Sequence, residues 1–247
     1  MANGFADNIR SMFDSIAPTY DKLNRINTFG MDLQWRKVLV DRVAQEAPKN
    51  ILDLAAGTGD LSIMLAKACK GAKIIAGDMS DGMLQLARQK AYQQSLPQID
   101  IKVMDAMNLP YSGEEFDAIT CAFGVRNFES IARSYHEMYR VLRPGGMIAI
   151  LELCEPIKPI SHALYTVHVY ATMPMLASAL GHNKWAYQYL AKSIEKVPQR
   201  EEMTRLMEMA GFFHTYHKVF VPGVCALYVG FKPMNEIEQK EISKAWR

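Results

Sequence analysis

Asp53-Leu54-Ala55-Ala56-Gly57-Thr58-Gly59-Asp60 follows directly on the apolar pair Ile51-Leu52, and the next apolar run, Ile74-Ile75-Ala76-Gly77, closes on Asp78. A strand that ends in a glycine turn and opens a helix, followed by a second strand ending in a carboxylate, reads as a nucleotide-cofactor site. A dinucleotide requires a third glycine so that its pyrophosphate can sit on the helix N-terminus. Three positions after Gly59 stands Ser62, so the pattern is one glycine short and a degenerate NAD site is the weaker alternative. S-adenosylmethionine (SAM) carries ribose and adenine but no pyrophosphate. It needs close backbone approach at Gly57 and Gly59 and a carboxylate for the ribose diol, which Asp78 offers.

Outward from this unit the alternation of strand and helix continues. Pro48 introduces strand one at about 50–55, helix 60–69 follows, then strand 73–78 and helix 80–93 with Ser80 placed as N-cap. Residues 99–104 form a third strand ending at Asp105, and 116–122 a fourth that is short and apolar enough to lie centrally in a parallel sheet. Helix 129–142 is expected to stop at Pro144-Gly145-Gly146, a turn that launches strand 147–153. Then the period changes. Residues 212–221 and 224–232 are two β-rich runs joined only by Pro222-Gly223, too short for a crossover and therefore antiparallel. The expected class is α/β: a doubly wound, mostly parallel sheet finished by an antiparallel hairpin, with ligands at the strands' carboxyl ends.

Upstream, Phe5, Ile9, Met12, Phe13 and Ile16 recur at helical spacing, which predicts an amphipathic helix ending before Pro18, and 32–46 predicts a second helix. Residues 156–196, rich in aromatics and methionine, are not required by the sheet and read as a substrate cover above its carboxyl edge. The chain is thus expected to be a single domain over 1–247, with N-terminal helices 5–46, a core 50–155, the cover at about 156–196, a C-terminal helix and hairpin 199–232 and a tail 233–247. The charged end of that tail, 235–247, reads as solvated or frayed.

Composition narrows the partners. At 247 residues and 49% hydrophobic content the chain can bury a full core. Twenty-eight basic against 26 acidic residues, with no run of Lys or Arg, leave no footprint for nucleic acid. Cys69, Cys121, Cys154 and Cys225 are widely spaced and form no Cys-x-x-Cys pair, so they read as reduced, buried thiols and no metal is expected. Neither a signal peptide nor a transit sequence is read in the first residues, and a cytoplasmic protein is expected. Residues 161–180 lack Asp, Glu, Lys and Arg and approach the ~20-residue spanning length, but two histidines and Pro174 interrupt them and argue against a span.

Specific residues can be given chemical roles. Asp53, at the end of strand one, can hold the donor's ammonium group directly or through water, or cap the amides of the turn. Thr58 and Gly59 face the methionine part of the donor. Met79 offers a polarisable surface to one face of adenine, or simply packs. Asp105, followed by Ala106, can accept from the adenine amino group. Phe123-Gly124-Val125-Arg126-Asn127 follows strand four, beside strand one, so its loop faces the donor's methyl. Arg126 could pair with Glu129 or another carboxylate, but an arginine and an amide emerging together from an apolar strand make a donor pair suited to an oxyanion.

Taken together, Tyr20-Asp21-Lys22-Leu23-Asn24 with Trp35 downstream, DLAAGTGD at 53–60, FGVRN at 123–127, YRVLRPGG at 139–146 followed by Glu152, and YQYLAKSI at 187–194 resemble the demethylmenaquinone and ubiquinone C-methyltransferases of quinone biosynthesis, over about residues 12–232. Leu23 stands where that family usually has Met, and Cys154 and Ala122 where it has Ser; none of these exchanges removes a charge. The resemblance implies a seven-stranded class I methyltransferase fold, SAM as donor, and a reduced polyprenyl quinone as acceptor. It carries the family's cofactor positions onto Thr58, Asp78, Asp105 and Ala106 and its quinol-facing positions onto Tyr20, Arg126 and Asn127. The expected reaction is methylation of a ring carbon, demethylmenaquinol to menaquinol, with a methoxy-benzoquinol of ubiquinone biosynthesis, another lipid acceptor and a non-catalytic SAM-binding subunit as alternatives. Tyr20, Asp21, a water, His162, His168 or His182 could take the phenolic proton. A polyprenyl tail further implies contact of helix 161–180 and the N-terminal helix with the membrane surface, or a homo-oligomeric interface that covers the same apolar residues.

Overall fold

Two helices, α1 (Asn3–Asn27) and α2 (Met31–Ala44), precede the first strand. In the computed structural model, which describes residues 3–173, 175 and 184–234, α1 does not stop before Pro18. Proline removes one N–H, the partner of the Asp14 carbonyl, and both residues are exposed, where water can satisfy that oxygen. Beyond Pro18 the helix is fastened by the side chains of Asp21 and Arg25, which bond to residues far along the chain.

The sheet has seven strands in the order β3-β2-β1-β4-β5-β7-β6. β1 (Asn50–Leu54), β2 (Lys73–Asp78), β3 (Ile99–Val103), β4 (Phe116–Ala122) and β5 (Leu142–Leu153) are mutually parallel; β7 (Cys225–Phe231) runs antiparallel between β5 and β6 (Phe213–Phe220). The strand order reverses at β1, between β2 and β4, and opens a crevice at their carboxyl ends. Alternate residues face opposite helical layers. Leu52, Leu54, Ile119, Cys121, Ile148 and Ile150 pack with α5 (Ile131–Val141) and α8 (Glu201–Met209), while Ile51, Ala118, Met147, Ala149 and Leu151 pack with α2 and α3 (Asp60–Ala68). All four cysteines are buried in these layers.

Caps and turns mark most boundaries where the sequence places them. Ser80 Oγ accepts from the Met83 N–H and caps α4 (Asp81–Gln93), and Ser130 does the same for α5 through the Arg133 N–H. One boundary differs: β5 begins at Leu142, directly after α5, and the Pro144-Gly145-Gly146 turn lies inside it. Leu142 pairs with Phe116 and Met147 with Ala118, so the intervening residues bulge out, held by Gly145 N–H to Lys232 O and Lys232 N–H to Gly146 O.

Residues 156–196 contain α6 (Pro159–Val167), a π-helical turn (His168–Thr172) and α7 (Lys184–Lys196). Tyr165, Val169, Met173, Ala191 and Ile194 join Leu23 of α1 in a third apolar cluster above the sheet's carboxyl edge. Among the described residues no helix is long and apolar enough to cross a membrane. Residues 176–180 of the apolar segment, His182 and the tail 235–247 lie outside the described residues.

Candidate active site

Two residues at the strand ends adopt a conformation that side chains rarely take. Ala55 after β1 has φ 50° and Phe123 after β4 has φ 63°. Between them the chain closes up: a Cβ on Gly124 would lie 2.3 Å from the Ala55 Cβ. The glycine turn is also close-packed on its other side, since Gly59 has φ 83° and a Cβ there would lie 3.0 Å from the Ala87 Cβ of α4. Backbone strain of this kind persists where surrounding structure holds it, and it concentrates at functional crevices.

The crevice holds a first cavity bounded by the glycine turn, the ends of β2, β3 and β4, and α1. Gly57, Asp78, Met79, Asp105, Ala106 and Asn127 line it, roofed by Ile9, Arg10, Phe13 and Tyr20. Asp78 is fixed by the Gly57 and Ser80 N–H groups, both at 2.8 Å. Burial pushes its carboxyl pKa up, against the pull of those amides. Asp105 accepts the Met107 N–H at 2.8 Å. Two carboxylates at the ends of neighbouring strands, an apolar floor of Met79, Met83 and Met104, and glycine backbone fit a nucleoside with its ribose diol and amino group.

Three expected cofactor residues, Asp53, Thr58 and Gly59, stand behind this lining. Asp53 is fully buried, and its oxygens accept the hydroxyls of Ser62 at 2.5 Å and Thr120 at 2.8 Å instead of capping the turn's amides. Burial, outweighing these bonds, raises its pKa to about 6. Thr58 donates to Asp21 at 2.6 Å and accepts from Lys90 at 3.0 Å. Lys90 also reaches Asp21 and Asp60, Arg25 bridges Asp60 and Asp32, and Arg36 completes the chain at Asp32. Three carboxylates and three cations thus tie α1 to α2, α3 and α4. Burial opposes ionisation of Asp60, but Lys90, Arg36 and Arg25 hold its pKa below the usual range.

A second cavity of about 370 Å³ adjoins the first, sharing Tyr20 and Phe123 with it. It is apolar, with Trp35, Leu153, Leu164, Tyr165, Val169, Met173, Leu190 and Ile194 around Arg126. The expected donor pair is divided: Arg126 lines the second cavity, Asn127 the first. Asn127 Oδ1 accepts the Tyr189 hydroxyl at 3.0 Å, and its Nδ2 and Arg126 Nη1 both reach the Phe123 carbonyl, at 3.5 and 2.6 Å. Arg126 pairs neither with Glu129 nor with solvent but with Glu152, Nη1 to Oε1 at 2.6 Å, both side chains being buried. Burial alone would lower the guanidinium's pKa; Glu152, together with Tyr20 and Tyr189, outweighs it and holds Arg126 charged. Arg126 Nε is buried without a partner.

The candidate proton acceptors also separate. Asp21 is committed to Thr58 and Lys90, and His162 is exposed outside both cavities. His182 lies outside the described residues. Tyr20 and His168 face the second cavity. His168 Nε2 lies 2.8 Å from the Asn27 carbonyl and must donate to it, which leaves Nδ1 as the acceptor of the neutral ring. Sequence reasoning missed the Asp14, Asp21 and Lys90 bonds to the cofactor-side helices, because partners 37 to 69 positions apart leave no local signal. Glu152 was visible only as part of a motif.

Comparison with known proteins follows the same lines. Residues 2–232 match the ubiE/COQ5 methyltransferase family. A demethylmenaquinone methyltransferase of Thermus thermophilus is 42% identical over 222 residues, covering 90% of this chain and 100% of the relative. One from Deinococcus radiodurans is 37% identical over 224 residues, covering 91% and 92%. Among solved structures, a SAM dependent methyltransferase from Aquifex aeolicus superposes with a TM-score of 0.61 at 19% identity, covering 85% of this chain and 97% of that one, which bears on the fold alone.

Proposed function

The chain belongs to the ubiE/COQ5 methyltransferase family, and from that premise we propose that it transfers a methyl group from SAM to a ring carbon of demethylmenaquinol, giving menaquinol. The observation that carries this reading is the pair of adjoining cavities, one suited to a nucleoside, the other mostly apolar with Arg126 and the ion-paired Asp32 as the charged groups in its wall, meeting at Tyr20 and Phe123. The relatives compared above bear the demethylmenaquinone name, so the ubiquinone alternative is not carried forward, and an enzyme replaces the accessory-subunit reading.

Asp78 would hold the ribose of SAM, Asp105 and Ala106 its adenine with Met79 against one face, and Gly57, Thr58 and Gly59 the backbone side of its methionine part. When bound, SAM supplies a methyl group made electrophilic by its sulfonium. Asp53, held by Ser62 and Thr120 and outside the cavity lining, acts on this turn from behind. In the second cavity the ring lies between Tyr20, Phe123 and Trp35 with a phenolic oxygen at Arg126. A ring carbon becomes nucleophilic only when that phenol loses its proton, ordinarily with a pKa near 10. Arg126, permanently charged and out of bulk water, holds the phenolate and lowers that pKa. His168 Nδ1, or a water beside Tyr20, receives the proton. Asn127, held by Tyr189, keeps the Phe123 carbonyl and the wall between the cavities in place. Apolar walls exclude water and fix the reactants at attack distance.

The polyprenyl tail leaves past Phe29 and Leu164, which line the cavity and are 77% and 68% exposed. Ile157, just before α6, and Ile160, Leu164 and Val167 along it extend that mouth as exposed apolar side chains, which would rest on the bilayer surface that holds the substrate. The test is incubation of purified protein with methyl-labelled SAM and reduced demethylmenaquinone, the product located by mass spectrometry. Label on the naphthoquinol ring carbon is expected; SAM binding without any ring methylation would overturn the assignment.

A further inference from the structure

Glu152 closes β5 opposite Ala226 of β7 and has no exposed surface. It accepts three hydrogen bonds: from Arg126 Nη1 at 2.6 Å and Leu153 N–H at 2.8 Å on Oε1, and from the Arg126 N–H at 3.1 Å on Oε2. Two of the three donors belong to one residue. Arg126 is therefore gripped at its backbone and at the near side of its guanidinium, and the Phe123 carbonyl takes the same Nη1 at 2.6 Å. Its far edge is left over: Nε is buried and unpartnered, and Nη2 has no partner among the described residues. A buried donor is rarely left unmade unless something arrives to use it. A buried ion pair also does little for stability compared with apolar groups of the same shape, so stability alone does not account for this one.

We propose that Glu152 is a positioning residue for the methyl transfer, holding the Arg126 guanidinium so that its Nε–Nη2 edge meets the phenolic oxygen of the substrate. This rests on the reading of the second cavity as the quinol site. Glu152 itself is not the base: its oxygens are engaged by three N–H donors, and it does not line the cavity that Arg126 lines. Its negative charge weakens the field of Arg126 at the substrate, so its contribution is geometric. A guanidinium held before the reaction begins needs no reorientation as charge develops on the ring oxygen. Without Glu152, Arg126 would be free to turn its far edge to the Phe123 carbonyl.

The experiment compares the full-length protein with Glu152→Gln, Glu152→Asp, Arg126→Lys and the Glu152→Gln/Arg126→Lys double variant, in turnover and in binding of 1-naphthol, whose ionised form absorbs at longer wavelength than the neutral one. Glu152→Gln should lower kcat about tenfold to a hundredfold and leave KM for both substrates within about threefold. The double variant should be no slower than Arg126→Lys alone, because the two residues act as one unit. With saturating S-adenosylhomocysteine the native protein should bind naphthol in ionised form, and the variants should bind it neutral. Glu152→Asp keeps the charge but withdraws it by one methylene, so it too should lose turnover and the naphtholate signal; it decides the matter if Glu152→Gln fails to fold. Native turnover and naphtholate in Glu152→Asp, or effects that multiply in the double variant, would show that Glu152 merely balances charge. A native protein that neither methylates the quinol nor binds naphthol would instead defeat the underlying assignment of the cavity.

Discussion

Asp53 and Arg126 sit one strand apart, both buried and ionisable, and they differ in what compensates them. Arg126 has a counter-ion; Asp53 has two hydroxyls and a pKa raised to about 6. A carboxyl whose folded pKa lies above its unfolded value binds protons more tightly when folded, so it favours the folded state at low pH and loses that contribution as pH rises from about 4 through 6. Above pH 6 the ionised group costs about 3 kcal/mol of stability, at 1.36 kcal/mol per pKa unit. Asp53→Asn should therefore raise the urea midpoint at pH 7.5 and narrow that gain toward zero at pH 4; an equal effect at both pH values would mean that the carboxylate is not under strain. For Arg126 the expectation lies in kinetics. Arg126→Ala should lower kcat about 10²- to 10³-fold, the usual cost of one oxyanion donor, while SAM affinity measured by calorimetry stays within about threefold. Lost SAM binding would make Arg126 a structural residue of the crevice. Both side chains were legible as candidates because a charge at the end of an apolar strand is conspicuous. Their partners were not: Ser62, Thr120 and Glu152 lie on α3, β4 and β5, and only the fold brings them to Asp53 and Arg126, the β1–β4 register setting Asp53 opposite Thr120.

At the scale of elements, α1 acts as a strap across the first cavity, where the cofactor is proposed to bind. Asp14 accepts the Ser80 hydroxyl at 2.5 Å and the Gly82 N–H at 3.0 Å at one side, and Asp21 accepts the Thr58 hydroxyl and pairs with Lys90 at the other. Ile9, Arg10, Phe13 and Tyr20 roof the space between. Each net hydrogen bond contributes about 0.5–1.5 kcal/mol, and a factor of ten in rate needs about 1.4 kcal/mol. Asp14→Ala and Asp21→Asn should each speed release of S-adenosylhomocysteine about five- to tenfold in stopped-flow displacement, with far-UV circular dichroism unchanged; native release rates would show that α1 closes nothing. The order of strands and helices was readable from local signals, namely the glycine turn, the Ser80 cap, the change of period and the short Pro222-Gly223 link. Two boundaries were not, for the same physical reason. Pro18 and the Pro144-Gly145-Gly146 turn are local breakers, and each is overridden by distant partners, the α1 ion pairs in one case and Lys232 in the other.

For the molecule as a whole, the insertion leaves a row of exposed apolar side chains beside the mouth of the second cavity. The inward side of the insertion is accounted for, since Tyr165 and Val169 pack with Leu23, Ala191 and Ile194. Its outward side is not: Ile157, Ile160, Leu164 and Val167 are 76, 79, 68 and 60% exposed, and Leu164 shares the cavity wall with Phe29 and Pro222. An acceptor with a long isoprenoid tail partitions into lipid, so a protein that must draw its ring into a pocket gains by lying where the tail already is. Ile160 and Val167 do not line the cavity, which allows docking to be separated from chemistry. Burying such side chains contributes roughly 1.5–3 kcal/mol each when complete, and a charge there is repelled from hydrocarbon. Ile160→Asp combined with Val167→Asp should therefore reduce co-sedimentation with phosphatidylcholine vesicles at least tenfold. Turnover of long-tailed demethylmenaquinol embedded in those vesicles should fall in step, while turnover of a short-tailed, water-soluble analogue stays at the native rate. Unchanged vesicle binding would remove the bilayer from the account, and a change from dimer to monomer in gel filtration would assign the stripe to a second copy of the chain.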